Sequence, residues 1–169
     1  MLKNGILIFL VSLLSACGGS DSADSTDPAT PASNTAGQAT ELEGSWGYSC
    51  QFDPDFAVYS TLAFTFTGNS YTSIGTDYLD AACTVVDETF SSNGTFVTGS
   101  TLTPASGGSA REIDITISTI NGIAFPVTFY DIYQISGTTL YTGDDTVNEG
   151  LSPSTRPVAL DFTLSFTRQ

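Results

Sequence analysis

The feature that most limits what this chain can fold into is a two-residue alternation that returns from Leu42 to the C-terminus. Leu160, Phe162, Leu164 and Phe166 alternate with Asp161, Thr163, Ser165 and Thr167. Ile113, Ile115 and Ile117 alternate with Glu112, Asp114 and Thr116. Val58, Leu62, Phe64 and Phe66 form another apolar face, and Leu42, Trp46, Tyr48, Cys50 and Phe52 form a fourth. Successive side chains of a strand point to opposite faces, so this pattern predicts strands with one buried side rather than helices.

Turn signals separate these runs. Gly68-Asn69, Asn93-Gly94, Asn121-Gly122 and Gly137-Thr138 each lie between two strand-like stretches and predict tight connections between antiparallel neighbours. The predicted strands cover 43–53, 57–67, 70–78, 83–91, 94–103, 111–120, 122–135, 138–143 and 157–168. Pro126 falls inside the seventh and calls for a bulge or an edge there, because proline cannot donate to a ladder. Residues 144–157 form the longest irregular connection. Eight or nine antiparallel strands in one domain suit a sandwich or a closed up-and-down barrel. An antibody-like sandwich places its tryptophan between two cysteines, whereas here Trp46 precedes Cys50, which favours the barrel.

The stretch Leu42-Glu43-Gly44-Ser45-Trp46 resembles the L-x-G-x-W signature on the first strand of the calycin group, which includes the lipocalins. The resemblance implies an all-β, lipocalin-like barrel in which this tryptophan closes one end and packs against an arginine near the last strand. Gly44, Trp46 and Arg168 are the matching positions.

The first residues have a different character. Lys3 is followed by an apolar run from Ile6 to Leu14, then by Ser15, Ala16 and Cys17. That order is the one a secretory signal uses, and the run is shorter than the roughly 20 apolar residues a membrane-spanning helix needs. Leu14-Ser15-Ala16-Cys17 resembles the bacterial lipobox. The resemblance implies cleavage after residue 16, acyl chains such as palmitate on Cys17, and a membrane held through them. Gly18, where aspartate is linked to inner-membrane retention, implies delivery to the outer membrane. Residues 17–41 then read as lipidated cysteine and flexible linker. The stretch 18–40 holds no aromatic or large aliphatic residue and cannot offset its own ordering entropy. The expected organisation is thus signal 1–16, anchor and linker 17–41, barrel domain 42–169.

Charge and missing residue types narrow the function. The chain carries a formal charge of −14, and loss of Lys3 with the signal takes it to −15. Arg111, Arg156 and Arg168 are then the remaining cations, too few to neutralise a nucleic acid's phosphates. There is no histidine, and no lysine other than Lys3, so Ser-His, Cys-His and Ser-Lys nucleophile pairs are excluded. Carboxylate chemistry remains, but Asp144 and Asp145 fall in an expected surface turn. The reading is non-enzymatic, with no cofactor. In an oxidising envelope Cys50 and Cys83 are expected to form a disulfide, the alternative being two buried free thiols.

Two further positions are candidates. Asp131 lies on the apolar parity of Phe125, Val127, Phe129 and Tyr133, where a carboxylate needs a partner. Arg111 or Arg168 could pair with it, or a bulge could turn it outward. The loop Gly143–Gly150 holds Asp144, Asp145, Asn148 and Glu149, oxygen ligands of the kind calcium takes, but its spacing departs from the EF-hand and favours a solvated acidic loop. Two functions fit the whole: an interaction or inhibitor-like envelope module that engages a protein, or a barrel that holds a small apolar ligand.

Overall fold

The computed structural model describes residues 40–53 and 56–169; the expected signal segment and Cys17 lie outside the described residues. Eight strands follow one another: β1 Gly44–Asp53, β2 Val58–Thr67, β3 Ser70–Tyr78, β4 Val86–Leu102, β5 Ala110–Ile120, β6 Ile123–Ser136, β7 Thr139–Thr142 and β8 Phe166–Arg168. Each pairs antiparallel with the next, and β8 returns to β1, so the ring is a closed antiparallel barrel. A single 3₁₀ turn, Pro153–Thr155, lies in the long connection between β7 and β8.

The alternation does what period two requires. Phe64 and Phe66 of β2, Phe96 of β4, Ile113, Ile115 and Ile117 of β5 and Phe166 of β8 are buried together. Phe64 meets Phe166 edge-on at 4.7 Å between ring centroids, and Phe66 meets Phe96 at 4.8 Å. Such tilted pairs add attraction beyond the area they bury. Thr116 faces Thr128 across the outer wall of β5 and β6 through a 2.9 Å hydroxyl contact. Apolar inside and polar outside is the reverse of a lipid-spanning barrel, whose outer band is apolar.

Four expectations of the pattern change in three dimensions. Asn93-Gly94 is not a turn: β4 is one strand of 17 residues, whose first part pairs with β3 and whose second pairs with β5. Gly94 is there for close approach, because a Cβ on it would collide with the Thr116 carbonyl across the β4–β5 ladder. The first strand does not keep one parity to Phe52. Its register with β2 shifts between Tyr48 and Gln51, and the bulge leaves Phe52 opposite Tyr59 and 54 % exposed. The last strand shrinks to three residues, and residues 157–165 are irregular apart from a Gly143–Leu160 bridge. Phe162 therefore leaves the interior and packs edge-on against Tyr141 at 5.1 Å. The fourth strand starts at Val86 rather than 83, because Cys83 sits in the preceding turn with φ 51°. The bulge expected at Pro126 is present as a register shift between β5 and β6 near Ile117 and Thr119.

The turns at Gly68-Asn69, Asn121-Gly122 and Gly137-Thr138 each join consecutive strands. Asn121 and Gly122 both hold positive φ, at 50° and 76°, as a two-residue turn of mirror-image type demands.

Candidate functional site

The interior offers little room. Leu42, Phe64, Ile113, Asp131, Tyr133 and Leu140 line a void of about 10 Å³, comparable to the space of a single water probe. Around it Trp46, Phe64, Phe66, Phe96 and Phe166 pack the interior with large side chains.

At the end where β1 begins, the chain seals its core with one stacked pair. Trp46 is fully buried and its indole Nε1 donates to the Leu42 carbonyl at 2.8 Å. The Arg168 guanidinium lies over the indole, 4.2 Å from the ring centroid. It also donates from Nη2 to the Glu41 carbonyl at 2.9 Å and from Nη1 to that of Glu43. Gly44, with φ 106°, passes close beneath this guanidinium; a Cβ there would lie 3.2 Å from Nη1. The three positions singled out in the sequence are therefore brought together, and their role is packing: cation–π stacking ties the first strand to the last.

Beside them lies a cluster the sequence did not single out. Glu41 accepts from the Tyr133 hydroxyl at 2.5 Å and from Arg111 Nη1 at 2.9 Å. Burial pulls the Glu41 carboxyl upward, but the hydrogen bonds from Tyr133, its own backbone and Arg111 outweigh it and leave it below the usual range. Burial, then the bond to Glu41, pushes the Tyr133 hydroxyl well above the ordinary phenol range. Only their contact across 92 residues makes this group, so no local pattern announces it.

The expected Arg111–Asp131 pair is not formed. Arg111 stands opposite Tyr133 on the β5–β6 ladder, two positions from the Ile113–Asp131 pair, and turns instead to Glu41, Gly99 and Thr98. Asp131 is satisfied by backbone: its Oδ1 accepts from Ile132 N–H at 2.7 Å and Gly143 N–H at 3.0 Å. Burial raises its carboxyl to about 6, against the pull of those two bonds. The arginine that approaches it is Arg156, which the sequence left without a partner. From the β7–β8 connection it donates to the Asp131 carbonyl at 2.7 Å, the Ile113 carbonyl at 3.1 Å and Asp114 at 2.7 Å. It also lies 5.5 Å from the Tyr130 ring centroid. Asp131 and Arg156 together hold the long connection against β5 and β6.

In the acidic loop, Asp144 Oδ1 accepts from Thr146 N–H at 3.0 Å, as a turn does. Among the described residues no group of three or more His, Cys, Asp or Glu side chains is placed to hold a metal ion.

The opposite end carries the disulfide. Cys50 and Cys83 are bonded, with their Cα atoms 5.9 Å apart, and link the bulge of β1 to the β3–β4 turn. Asp80 organises that turn by accepting from the N–H groups of Thr84 and Val85 at 2.9 and 2.6 Å. On the outer wall nearby, an open groove of about 400 Å³ runs past Gly47, Ser49, Ala63, Ile74 and Thr167. It lies where β8 stops: β1 pairs with β8 only at Trp46 and Gly47, and beyond that its free side borders the groove.

Comparison with protein-family models gave no match, and comparison with curated proteins gave none either.

Proposed function

We propose that this chain is a lipid-anchored, non-enzymatic protein of the bacterial envelope, held through acyl chains on Cys17, whose barrel works from its outside as an interaction or inhibitor-like module. The observation that carries the choice of outside over inside is the packed interior. A site for a small apolar ligand needs a cavity of about 300 Å³ or more, whereas the void lined by Leu42, Phe64, Ile113 and Tyr133 measures about 10 Å³. That packing supports the interaction reading over a ligand held inside the barrel. Support for a non-catalytic role comes from the chain having no histidine and, beyond Lys3, no lysine. The resemblance to lipocalin-like proteins fits the same reading at the level of shape, with the Trp46–Arg168 stack as its counterpart.

Native mass spectrometry of the protein extracted from its own membrane tests the functional half. The expected species is the acylated chain alone or with a second polypeptide; a stoichiometric small apolar adduct would overturn it. Radiolabelled palmitate tests the anchor: the label is expected on the wild-type chain and absent from Cys17→Ala.

A further inference from the structure

Residues 40–43 lead into the barrel, and they fasten across its end before the first strand begins. The Glu43 N–H donates to the Thr40 carbonyl at 3.1 Å and the Leu42 N–H to Thr40 Oγ1 at 3.3 Å, closing a tight turn just ahead of β1. Leu42 drops from this turn into the apolar cluster of Phe64, Ile113 and Leu140 and is fully buried. Around it the strap bonds to elements far apart in the sequence. Glu41 accepts from Tyr133 on β6 and, through both carboxylate oxygens, from Arg111 Nη1 on β5. Glu43 Oε1 accepts from the Gly68 N–H in the β2–β3 turn at 2.7 Å. Arg168 of β8 donates to the Glu41 and Glu43 carbonyls, and Trp46 of β1 donates to that of Leu42.

The distribution of cations is lopsided. Of Arg111, Arg156 and Arg168, two bond to this one segment of the chain. Keeping water off the core at this end takes only the buried Leu42 and the Trp46–Arg168 stack. It does not call for bonds to β5, β6 and the β2–β3 turn.

What those bonds change is the route a pull takes. Without them, tension on the chain ahead of Thr40 acts at Gly44, the end of a ladder. It would part the β1–β2 pairs one after another, starting from Gly44 and Phe66. On its other side β1 is held to β8 at Trp46 and Gly47 alone among the described residues. With the strap in place the same tension is shared by β5, β6, β8 and the β2–β3 turn, and bonds loaded together must break together.

We propose that residues 40–43 are a load-bearing clamp, which passes tension from the preceding chain to the whole barrel end and keeps β1 from being peeled off. This rests on the anchor reading above, because a barrel tethered to a membrane and engaged elsewhere is pulled through Thr40.

The test is single-molecule pulling at constant force on the full-length chain in detergent, with p-azidophenylalanine as the attachment point for DNA handles. One geometry pulls between positions 22 and 79 and loads the strap. The other pulls between positions 79 and 123, exposed residues of the β3–β4 connection and the start of β6, and bypasses it. In Arg111→Gln/Tyr133→Phe the unfolding rate is expected to rise roughly tenfold through position 22 and to change less than about twofold in the second geometry, forced unfolding being governed by the unfolding rate. Release of the wild-type length shows that the variant has folded. Glu41→Gln keeps an oxygen for Tyr133 but loses its charge to Arg111, and serves the same comparison with a rise of about threefold. An unchanged rate through position 22, or an equal rise in both geometries, overturns the clamp, the second outcome reducing these bonds to ordinary stability. A wild-type chain without palmitate label overturns the anchor reading, and the force comparison is independent of it.

Discussion

The β1–β4 half and the β5–β8 half of the barrel complete the same ring by different means. The first half consists of long strands with tight turns, contains no basic residue, and is stapled by the Cys50–Cys83 disulfide. The second ends in strands of four and three residues, and makes up for their shortness with side chains. Arg156, Asp131 and Arg168 bond to backbone carbonyls or N–H groups where regular ladders stop. The difference teaches how each half is held, not how much apolar surface it spares. Phe52, Leu79 and Val86 are exposed in the first half, and Ile123, Val147 and Phe162 in the second. A half held by arginines has committed its charges to holding itself together.

The comparison is broken most directly at the seam that joins the halves. Trp46→Ala removes the buried indole and the platform for Arg168, and should cost about 3–5 kcal/mol in urea unfolding. A loss below about 1 kcal/mol would show that the seam carries little. Cys50→Ser with Cys83→Ser should cost roughly 3–4 kcal/mol, the closed loop spanning 33 residues. Hydrogen exchange should then quicken first at 78–86, with β5 and β6 little changed.

The second half should yield to loss of a cation instead. Arg156→Met leaves the Ile113 and Asp131 carbonyls without their donor and should cost about 2–3 kcal/mol. Exchange should rise in 143–165 rather than in β1–β4.

Asp131 sharpens the contrast through pH. Its carboxyl is raised to about 6 by burial, against about 3.9 when unfolded. Between these values the native state binds more protons than the unfolded one, so stability falls as pH rises through about 4 to 6 and stays lower above. Asp131→Asn keeps an oxygen for Ile132 and Gly143 but loses the charge. It should gain roughly 1–2 kcal/mol near pH 8, with partial exposure discounted, and change little near pH 4. Denaturation curves at the two pH values check this, and a variant weaker at both would mean that the charge is needed.

The smallest effect is expected at Arg111→Gln. Its pair with Glu41 is about a third exposed on the arginine side, so the loss should stay below about 1 kcal/mol and shrink further in high salt.

Sequence alone determined the strand class, the antiparallel order and three of the tight turns, because period two and residues that tolerate positive φ act over a few neighbours. It also supplied the disulfide partners by count, and the Gly44, Trp46 and Arg168 grouping by resemblance. Tertiary structure decided the rest. Only the ladder with β5 shows why Gly94 is a close approach instead of a turn, and only the bulge with β2 turns Phe52 outward. The choice of partner for each arginine depended on which chain segment arrives beside it. Arg111 reaches back 70 residues to Glu41, and Arg156 reaches 42 residues to Asp114. A charge in a sequence carries no address. Long-range packing fixes where it goes, because desolvation makes only the nearest well-placed group worth bonding.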